Sequence, residues 1–494
     1  MTASVKPKKI GASINFKPQR IRDPLHNLIR FEANEFESAL WDVVQTQPFQ
    51  RLRRIKQLGF SDFVFPGATH SRLAHSLGVF QTARQLMKIV KAHLGEERYL
   101  ETRAHAAIAA ALVHDVGHGP FSHAFERVGK KLRLKMAKHE NLSDELIRNG
   151  PIADALNQLG SGFAADVADI VKSEGPKNIY AAVVSSQFDA DRLDYMRRDR
   201  MMTGTEHAAI DFEWLMANLE VGEVAYGVDE VHLGKVETFV LGPKAVLAAE
   251  SYVMGLFQLY PTVYLHKTTR GAEQLFFELI VRVVELINDG SIKLTGLTRG
   301  HPLALFAREP TNVETALALD DTVVWGSLHL MASAKDKIIA EAAQRLGERR
   351  LYKSIDVREK ARIQLGLENS SSGQDELRVD LVCDKIQHRL RGKITSLRKS
   401  NNGKLSPMLY DKDKREPYRR YSESKGPLNQ IRIKLPSGNL VDLGERSKIV
   451  KSIESFKLDR VYVADRLGES HEFVERVIRE EVENVKSQKG KTAA

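Results

Sequence analysis

The chain has 494 residues, room for about three domains of ~150 residues, and its 42% hydrophobic and 28% charged content excludes a disordered or small stapled protein. A single cysteine, Cys383, excludes a disulfide framework and any thiolate metal cluster. The net charge of +10 is localised, because fourteen Lys and Arg stand against four Asp and Glu between Arg389 and Lys434. That stretch fits either contact with phosphate-bearing partners, nucleotide or single-stranded nucleic acid, or a solvated surface segment. No apolar run reaches the ~20 residues of a membrane span and the opening MTASVKPKKIGAS has no apolar signal core, so the cytosol is the expected compartment and no membrane partner is expected.

Along the chain, apolar residues at three-to-four spacing predict helices over Phe36–Gly59, Ser71–Leu94 and Glu101–Asp115. Further helices are expected over Ile152–Leu159, Ala164–Lys172 and Ala190–Met202, and a long one over Lys244–Asn288 is punctuated by Pro261. Gly290–Pro310 and Asn369–Gln374 read as linkers. Beyond them the texture changes: Gln430–Leu443 alternates around a Pro-Ser-Gly-Asn turn and predicts a hairpin. Arg460–Ala464 predicts a strand and Glu472–Val485 a closing helix. The expected fold is mainly α, a helical core with a smaller α+β C-terminal region. Its expected parts are an N-terminal arm (1–35), a catalytic core (36–290), a helical extension and linker (291–375) and a basic α+β region (376–494).

Half of the sixteen histidines lie between His70 and His139. They are densest in LVHDVGHGPFSHAF, Leu112–Phe125, where an apolar helix delivers His114 and Asp115 and is then stopped by Gly117, Gly119 and Pro120. A His-Asp pair at a helix end is ordinarily a cap and an ion pair. Here two glycines and a proline shape the backbone around further imidazoles, and a fold without chemistry has little reason to crowd titratable groups. Two imidazoles, His75 and His114, with two carboxylates, Asp115 and Asp191, form a ligand set suited to one divalent cation, Fe, Mn, Zn or Mg. No G-x-x-x-x-G-K-[ST] sequence occurs, which argues against a P-loop ATPase.

Three ordered segments, PFQRLRRIKQLGFSDFVFPGATHSRLAHSLGV (Pro48–Val79), HDVGHGPFSHAFE (His114–Glu126) and DADRLDYMRRD (Asp189–Asp199), together resemble the HD-domain deoxynucleoside triphosphate triphosphohydrolases. The likeness is to the SAM-and-HD-domain type and its bacterial relatives. DPLHNLIRF (Asp23–Phe31) and TVYLHK (Thr262–Lys267) match in kind and order, so the resemblance spans roughly residues 20 to 290. It implies an HD-domain helical core in which His75, His114, Asp115 and Asp191 bind the metal. It further implies that Arg72, Arg192 and Tyr195 contact the triphosphate, that His118 and His123 line the α-phosphate, and that His139 with Glu126 transfers protons. Gln57, Leu58, Asp199 and Tyr264 match positions that hold the sugar and its 3′-hydroxyl, and His266 and Lys267 add phosphate contacts. Arg192 stands where the relatives carry lysine, which keeps the charge and changes the donor geometry.

The implied reaction is attack of water on the α-phosphorus of a dNTP, releasing deoxynucleoside and tripolyphosphate. The resemblance also implies a homo-oligomer, a tetramer, with an activator nucleotide read near Gln50 and Arg53. At Gln45 the relatives place an aspartate that accepts from a guanine edge, a contact that a neutral amide does not reproduce. The competing expectation is an HD-type nuclease or phosphodiesterase acting on single strands or cyclic nucleotides. His93 and His105 are expected to pack on their helices.

Overall fold

A computed structural model describes residues 17–173, 178–228, 231–370, 372–400, 403–416, 418 and 430–492. The described chain opens with an antiparallel hairpin, Gln19–Asp23 against Asn27–Phe31. Asp23 turns it, its Oδ1 accepting from the Leu25 and His26 amides at 3.0 and 2.9 Å. Ile29 and Phe31 are buried beneath it, and the Phe31 ring stacks on Phe80 with centroids 4.9 Å apart.

The helical core follows the predicted periodicity. Ser71 caps the helix Arg72–Arg98, which buries Leu73, Leu77, Phe80, Leu86 and Val90 along one face. Its last turn kinks at Gly95, whose φ of 69° suits glycine. The helix Glu101–Val113 is buried nearly all round: six alanines between Ala104 and Ala111 let its neighbours approach closely. The helix Ala190–Thr203 packs across Arg72–Arg98, and Lys267–Asn288 runs through the centre of the same core.

Local chemistry sets the breaks. The expected helix over Phe36–Gly59 is divided, because Glu35–Gln45 ends at Thr46 and Pro48 opens the short Gln47–Arg51 turn. Pro261 sits in a wide turn, Tyr260–Tyr264, between Val246–Leu259 and Lys267–Asn288. Gly290–Pro310, expected as a linker, instead contains the helix Pro302–Arg308, with Leu303 and Phe306 buried in the main core. Gly and Pro there mark a helix start and a tight turn.

Two further sheets flank the helices. Leu219–Val228 and Val231–Leu241 form a long antiparallel hairpin that the helical reading of the first two thirds does not account for. The second of these strands pairs in parallel with Arg432–Lys434, which turns back antiparallel to Leu440–Asp442 as the Pro-Ser-Gly-Asn signal predicts. In the other sheet, Phe456–Val463 lies between Lys353–Asp356 and Met408–Arg415, antiparallel to both. The helices Gly373–Ser400 and Glu469–Thr492 cover it, and Val379, Val382, Ile386, Val474 and Ile478 form a second apolar core there. The architecture is mainly α with a smaller α+β C-terminal region. Among the described residues no helix is long and apolar enough to cross a membrane.

Within the basic stretch several of the described charges are paired with neighbouring elements. Arg389 bonds Glu480 and Glu481, Lys412 bonds Asp384, and Lys434 bonds Glu220. Tyr410 and Tyr418 donate their hydroxyls to Asp459 and Asp442; Tyr418 is buried, and the Arg391 guanidinium lies over the Tyr410 ring at 5.8 Å. Arg419, Arg420 and Tyr421 lie outside the described residues.

Candidate active site

The site begins with a buried polar network that aims one imidazole. Asp194, fully buried on the helix Ala190–Thr203, accepts from His75 Nδ1 at 2.9 Å, from His26 Nε2 at 2.7 Å and from Arg198 Nε at 2.8 Å. Arg198 also donates to both oxygens of Asp23, at 2.8 and 3.2 Å. With Nδ1–H committed to a carboxylate, Nε2 of His75 faces Asp191 Oδ1 at 3.0 Å and Asp115 Oδ2 at 3.8 Å. The network needs a bare backbone opposite it: a Cβ on Gly78 would lie 2.0 Å from Asp194 Oδ1.

His114 is oriented by the same logic from the end of Glu101–Val113. Its Nδ1 donates to the Ala111 carbonyl at 2.9 Å, which leaves Nε2 buried without a hydrogen-bond partner, 3.4 Å from Asp115 Oδ1 and 3.8 Å from Asp191 Oδ1. Two imidazole nitrogens and two carboxylates thus converge, and the ligand atoms of His75, His114 and Asp115 lie within 4.8 Å of one another. The electrostatics favour a cation at this point. Burial pushes the His75 imidazole down, but hydrogen bonds to Asp191 and Asp194 outweigh it and raise its pKa to about 10. Asp115 is held well below the usual carboxylate range: burial opposes ionisation, and Arg72, His114 and His118 overcome it. The residues present fit a divalent metal, with His75, His114, Asp115 and Asp191 as its holders.

Beside this point stands a second cluster, His118, Glu126 and His139. The rings of His118 and His139 stack at 4.0 Å with planes 11° apart, so their in-plane lone pairs do not meet at one atom. This arrangement suits a proton relay better than a second cation. Burial, Arg72 and His139 hold His118 well below the usual histidine range, as a neutral ring. His139 is raised despite burial by its hydrogen bond to Glu126 Oε1, and Glu126 is lowered despite burial by its bonds to His123 and His139. Gly117 makes room for this pair, since a Cβ there would lie 2.4 Å from the His139 carbonyl oxygen.

The loop between these clusters is strained and pinned. Phe121 and Ser122 have φ of 53° and 55°, a region costing non-glycine residues roughly 1–3 kcal/mol each. Asp321, two hundred residues on, accepts from the Phe121 amide at 2.7 Å and the Lys56 amide at 2.9 Å. Arg72 donates to Ser122 Oγ at 2.7 Å and bonds Asp115. Burial raises the Asp321 carboxyl to about 6.

Two adjoining cavities of about 300 Å3 each open here and share Gln57, Arg72, His123 and Tyr195. One contains His114, Asp115, His118, His139 and Asp191. The other is lined by Leu58, Asp199 and Tyr264 together with Arg127, Glu273 and Arg415. Asp199 accepts from Tyr264 Oη at 2.9 Å and bonds His70 Nε2 at 2.8 Å. Burial raises both Tyr195 and Tyr264 well above the usual tyrosine range, so both remain phenols able to donate.

Most residues singled out in the sequence come together here, and a few do not. Arg192 turns to the Ser186 carbonyl and to Asp189 and lines neither cavity. His266 caps the helix Lys267–Asn288 by accepting from the Thr268 amide at 3.2 Å, and neither it nor Lys267 lines a cavity. Gln50 and Arg53, 2.6 Å apart through Arg53 Nε, lie outside both cavities, as does Gln45. His105 packs on Phe36, centroids 3.8 Å apart, and His93 lies 3.6 Å from Glu237. Sequence reading does not single out Asp194, Arg198 or Asp321. A signal exists for Asp194, which sits three residues after Asp191 and so lies on the same helical face.

Residues 72–201 match the HD domain and residues 228–380 the HD associated region. The uncharacterized protein YwfO of Bacillus subtilis (strain 168) is 30% identical over 336 residues, covering 68% of this chain and 71% of that protein. The deoxynucleoside triphosphate triphosphohydrolase SAMHD1 of Mus musculus is 28% identical over 371 residues, 67% of this chain and 53% of that one. The crystal structure of a phosphohydrolase from Bacteroides thetaiotaomicron VPI-5482 superposes with a TM-score of 0.66 at 26% identity, covering 90% of this chain and 99% of that chain. With its histidine-aspartate cluster between helices and the associated region beyond it, the chain belongs to the family of HD-domain phosphohydrolases.

Proposed function

We propose that the chain hydrolyses deoxynucleoside triphosphates at the α-phosphorus, giving deoxynucleoside and tripolyphosphate. The observation that carries this reading is the adjacency of the His75–His114–Asp115–Asp191 cluster to a cavity whose next residues are the hydrogen-bonded pair Asp199 and Tyr264. A bound divalent cation supplies polarisation of the phosphoryl group and neutralisation of its charge. Arg72, fixed by Ser122 and Asp115, presents its guanidinium to the phosphates from the shared wall of the two cavities. His118 offers a neutral imidazole, while Glu126 keeps the proton on His139 available for the departing 5′-oxygen. Gln57, Leu58 and Tyr264 close around the sugar, and Asp199 accepts from its 3′-hydroxyl. A homo-oligomer with an activator nucleotide near Gln50 and Arg53 belongs to the same reading.

Purified protein loaded in turn with Fe, Mn, Zn or Mg and given dNTPs, NTPs and oligonucleotides tests it by phosphorus NMR. Tripolyphosphate and deoxynucleoside are the expected products, and dNMP with diphosphate would refute the assignment of the cleaved bond. His114→Ala and Asp115→Ala are expected to lose both metal and turnover while keeping the helical circular dichroism. Full activity of a metal-free Asp115→Ala protein would remove the metal site from the mechanism.

A further inference from the structure

The second cavity does not stop at the pair that would grip a sugar. Its lining also includes Arg127 from the helix His123–Leu132, Glu273 from Lys267–Asn288 and Arg415 from the strand Met408–Arg415. Arg127 lies one helical turn beyond His123, so both side chains look into the same space. Its Nη1 is buried without a hydrogen-bond partner and lies 3.8 Å from Glu273 Oε2. That same oxygen already receives Arg270 Nη1 at 3.1 Å, so Glu273 balances the charge of both arginines.

Arg415 reaches the cavity because its strand is locked in place four residues earlier. Arg270 donates to both oxygens of Asp411, at 2.8 and 2.6 Å, and Gln274 adds a third bond at 3.0 Å. Arg270 and Asp411 are both buried, which makes this a fixed joint between the helical core and the C-terminal sheet. Arg415 itself is half-exposed and makes long contacts of 3.3 Å to Asp413 on its own strand. Two guanidinium groups from separate elements therefore line the same cavity.

Resting on the triphosphohydrolase reading, with the phosphates at the His75–His114–Asp115–Asp191 cluster and the sugar at Asp199 and Tyr264, the cavity wall left for the base includes these two arginines. We propose that Arg127 and Arg415 read the base, favouring those with a carbonyl over those with an amine at the outer edge, and guanine above all. A guanidinium has donors and no acceptor. The adjacent O6 and N7 of guanine accept two such donors, and O4 of thymine accepts one, whereas the amines of adenine and cytosine set donor against donor. The C-terminal region thereby supplies a specificity residue to the core's site.

The test is internal competition: wild-type protein with an equimolar mixture of the four dNTPs, each nucleotide followed by chromatography. Competition reports the ratios of kcat/KM directly, and the mixture also supplies whichever nucleotide activates the protein. Wild-type protein is expected to consume dGTP ahead of dATP by about tenfold or more, the scale of one good bidentate contact to a base. Arg415→Ala and Arg127→Met should each shrink that ratio, mainly through KM, and Arg415→Lys should not restore it, because a lysine lacks the fork. Equal consumption of dGTP and dATP by wild-type protein, or an unchanged ratio in both variants, would overturn the inference while leaving the reaction intact. Consumption of none of the four would overturn the functional reading itself and this inference with it.

Discussion

Replacing Asp194 with Asn changes one atom in a residue that lines neither cavity, yet its hydrogen bonds give the change two measurable effects. The carboxylate holds the Nδ1–H of His75 at 2.9 Å and so directs Nε2 at the metal cluster; an amide can present NH2 instead and no longer favours that tautomer. Loss of such a supporting carboxylate lowers metal affinity by roughly 10- to 100-fold, or about 1.4–2.8 kcal/mol. Stability falls as well, since Asp194 is fully buried against Arg198. Breaking a buried pair typically costs ~3–5 kcal/mol, and the retained Asp23 contacts place this case near the lower end, about 3 kcal/mol. Titration calorimetry with Mn and thermal unfolding of the metal-free protein measure the two effects separately. A variant with wild-type metal affinity and an unchanged unfolding midpoint would show that the network does not orient His75.

Gly117→Ala should displace His139, because the added carbon meets backbone at 2.4 Å on two sides; a loss of ~1–3 kcal/mol and a drop in kcat are expected from denaturation curves and kinetics. Glu126→Gln removes the negative charge that, with its hydrogen bond, raises His139, so the folded-state pKa of that imidazole falls. The stabilisation carried by protonated His139 is complete below the unfolded histidine pKa of ~6.5 and is lost as pH rises through the raised folded value, so the variant should lose its advantage at lower pH than wild type. An NMR titration of His139 tracks this, and the alkaline limb of the activity profile should move in the same direction. Asp411→Asn leaves Arg270 with a weakened buried joint and should lower stability by about 3 kcal/mol, with partial release of the C-terminal sheet detectable by hydrogen exchange.

What the sequence reveals and what it hides divides along a physical line. The metal cluster is legible because its residues are chemically unusual for their places: His114 and Asp115 end an otherwise alanine-rich helix, and Gly117 and Gly119 interrupt where a continuing helix is cheaper. The hairpin over 219–241 is less legible, since its glycines and charged residues dilute the alternation and part of its pairing comes from a strand beginning at Arg432. Asp194 and Arg198 read locally as an ordinary i, i+4 pair on an exposed helix, and only their burial against Asp23 and His26 changes their meaning. In the sequence Arg415 reads, with Arg419 and Arg420, as a candidate phosphate contact within the basic stretch. Its place in the cavity depends on Asp411 meeting Arg270 across 141 residues, which no local pattern reports.

The order of strands in the C-terminal sheet also has a meaning in time. Its middle strand, Phe456–Val463, is the last of the three to be made, and among the described residues both outer strands pair only with it. While the chain emerges from the ribosome, N-terminal portion first, Met408–Arg415 has no sheet to join until some fifty further residues have been added. The metal ligands, all before residue 200, are complete long before that. A nascent chain can therefore bring together the proposed metal centre well ahead of the wall proposed to choose the base.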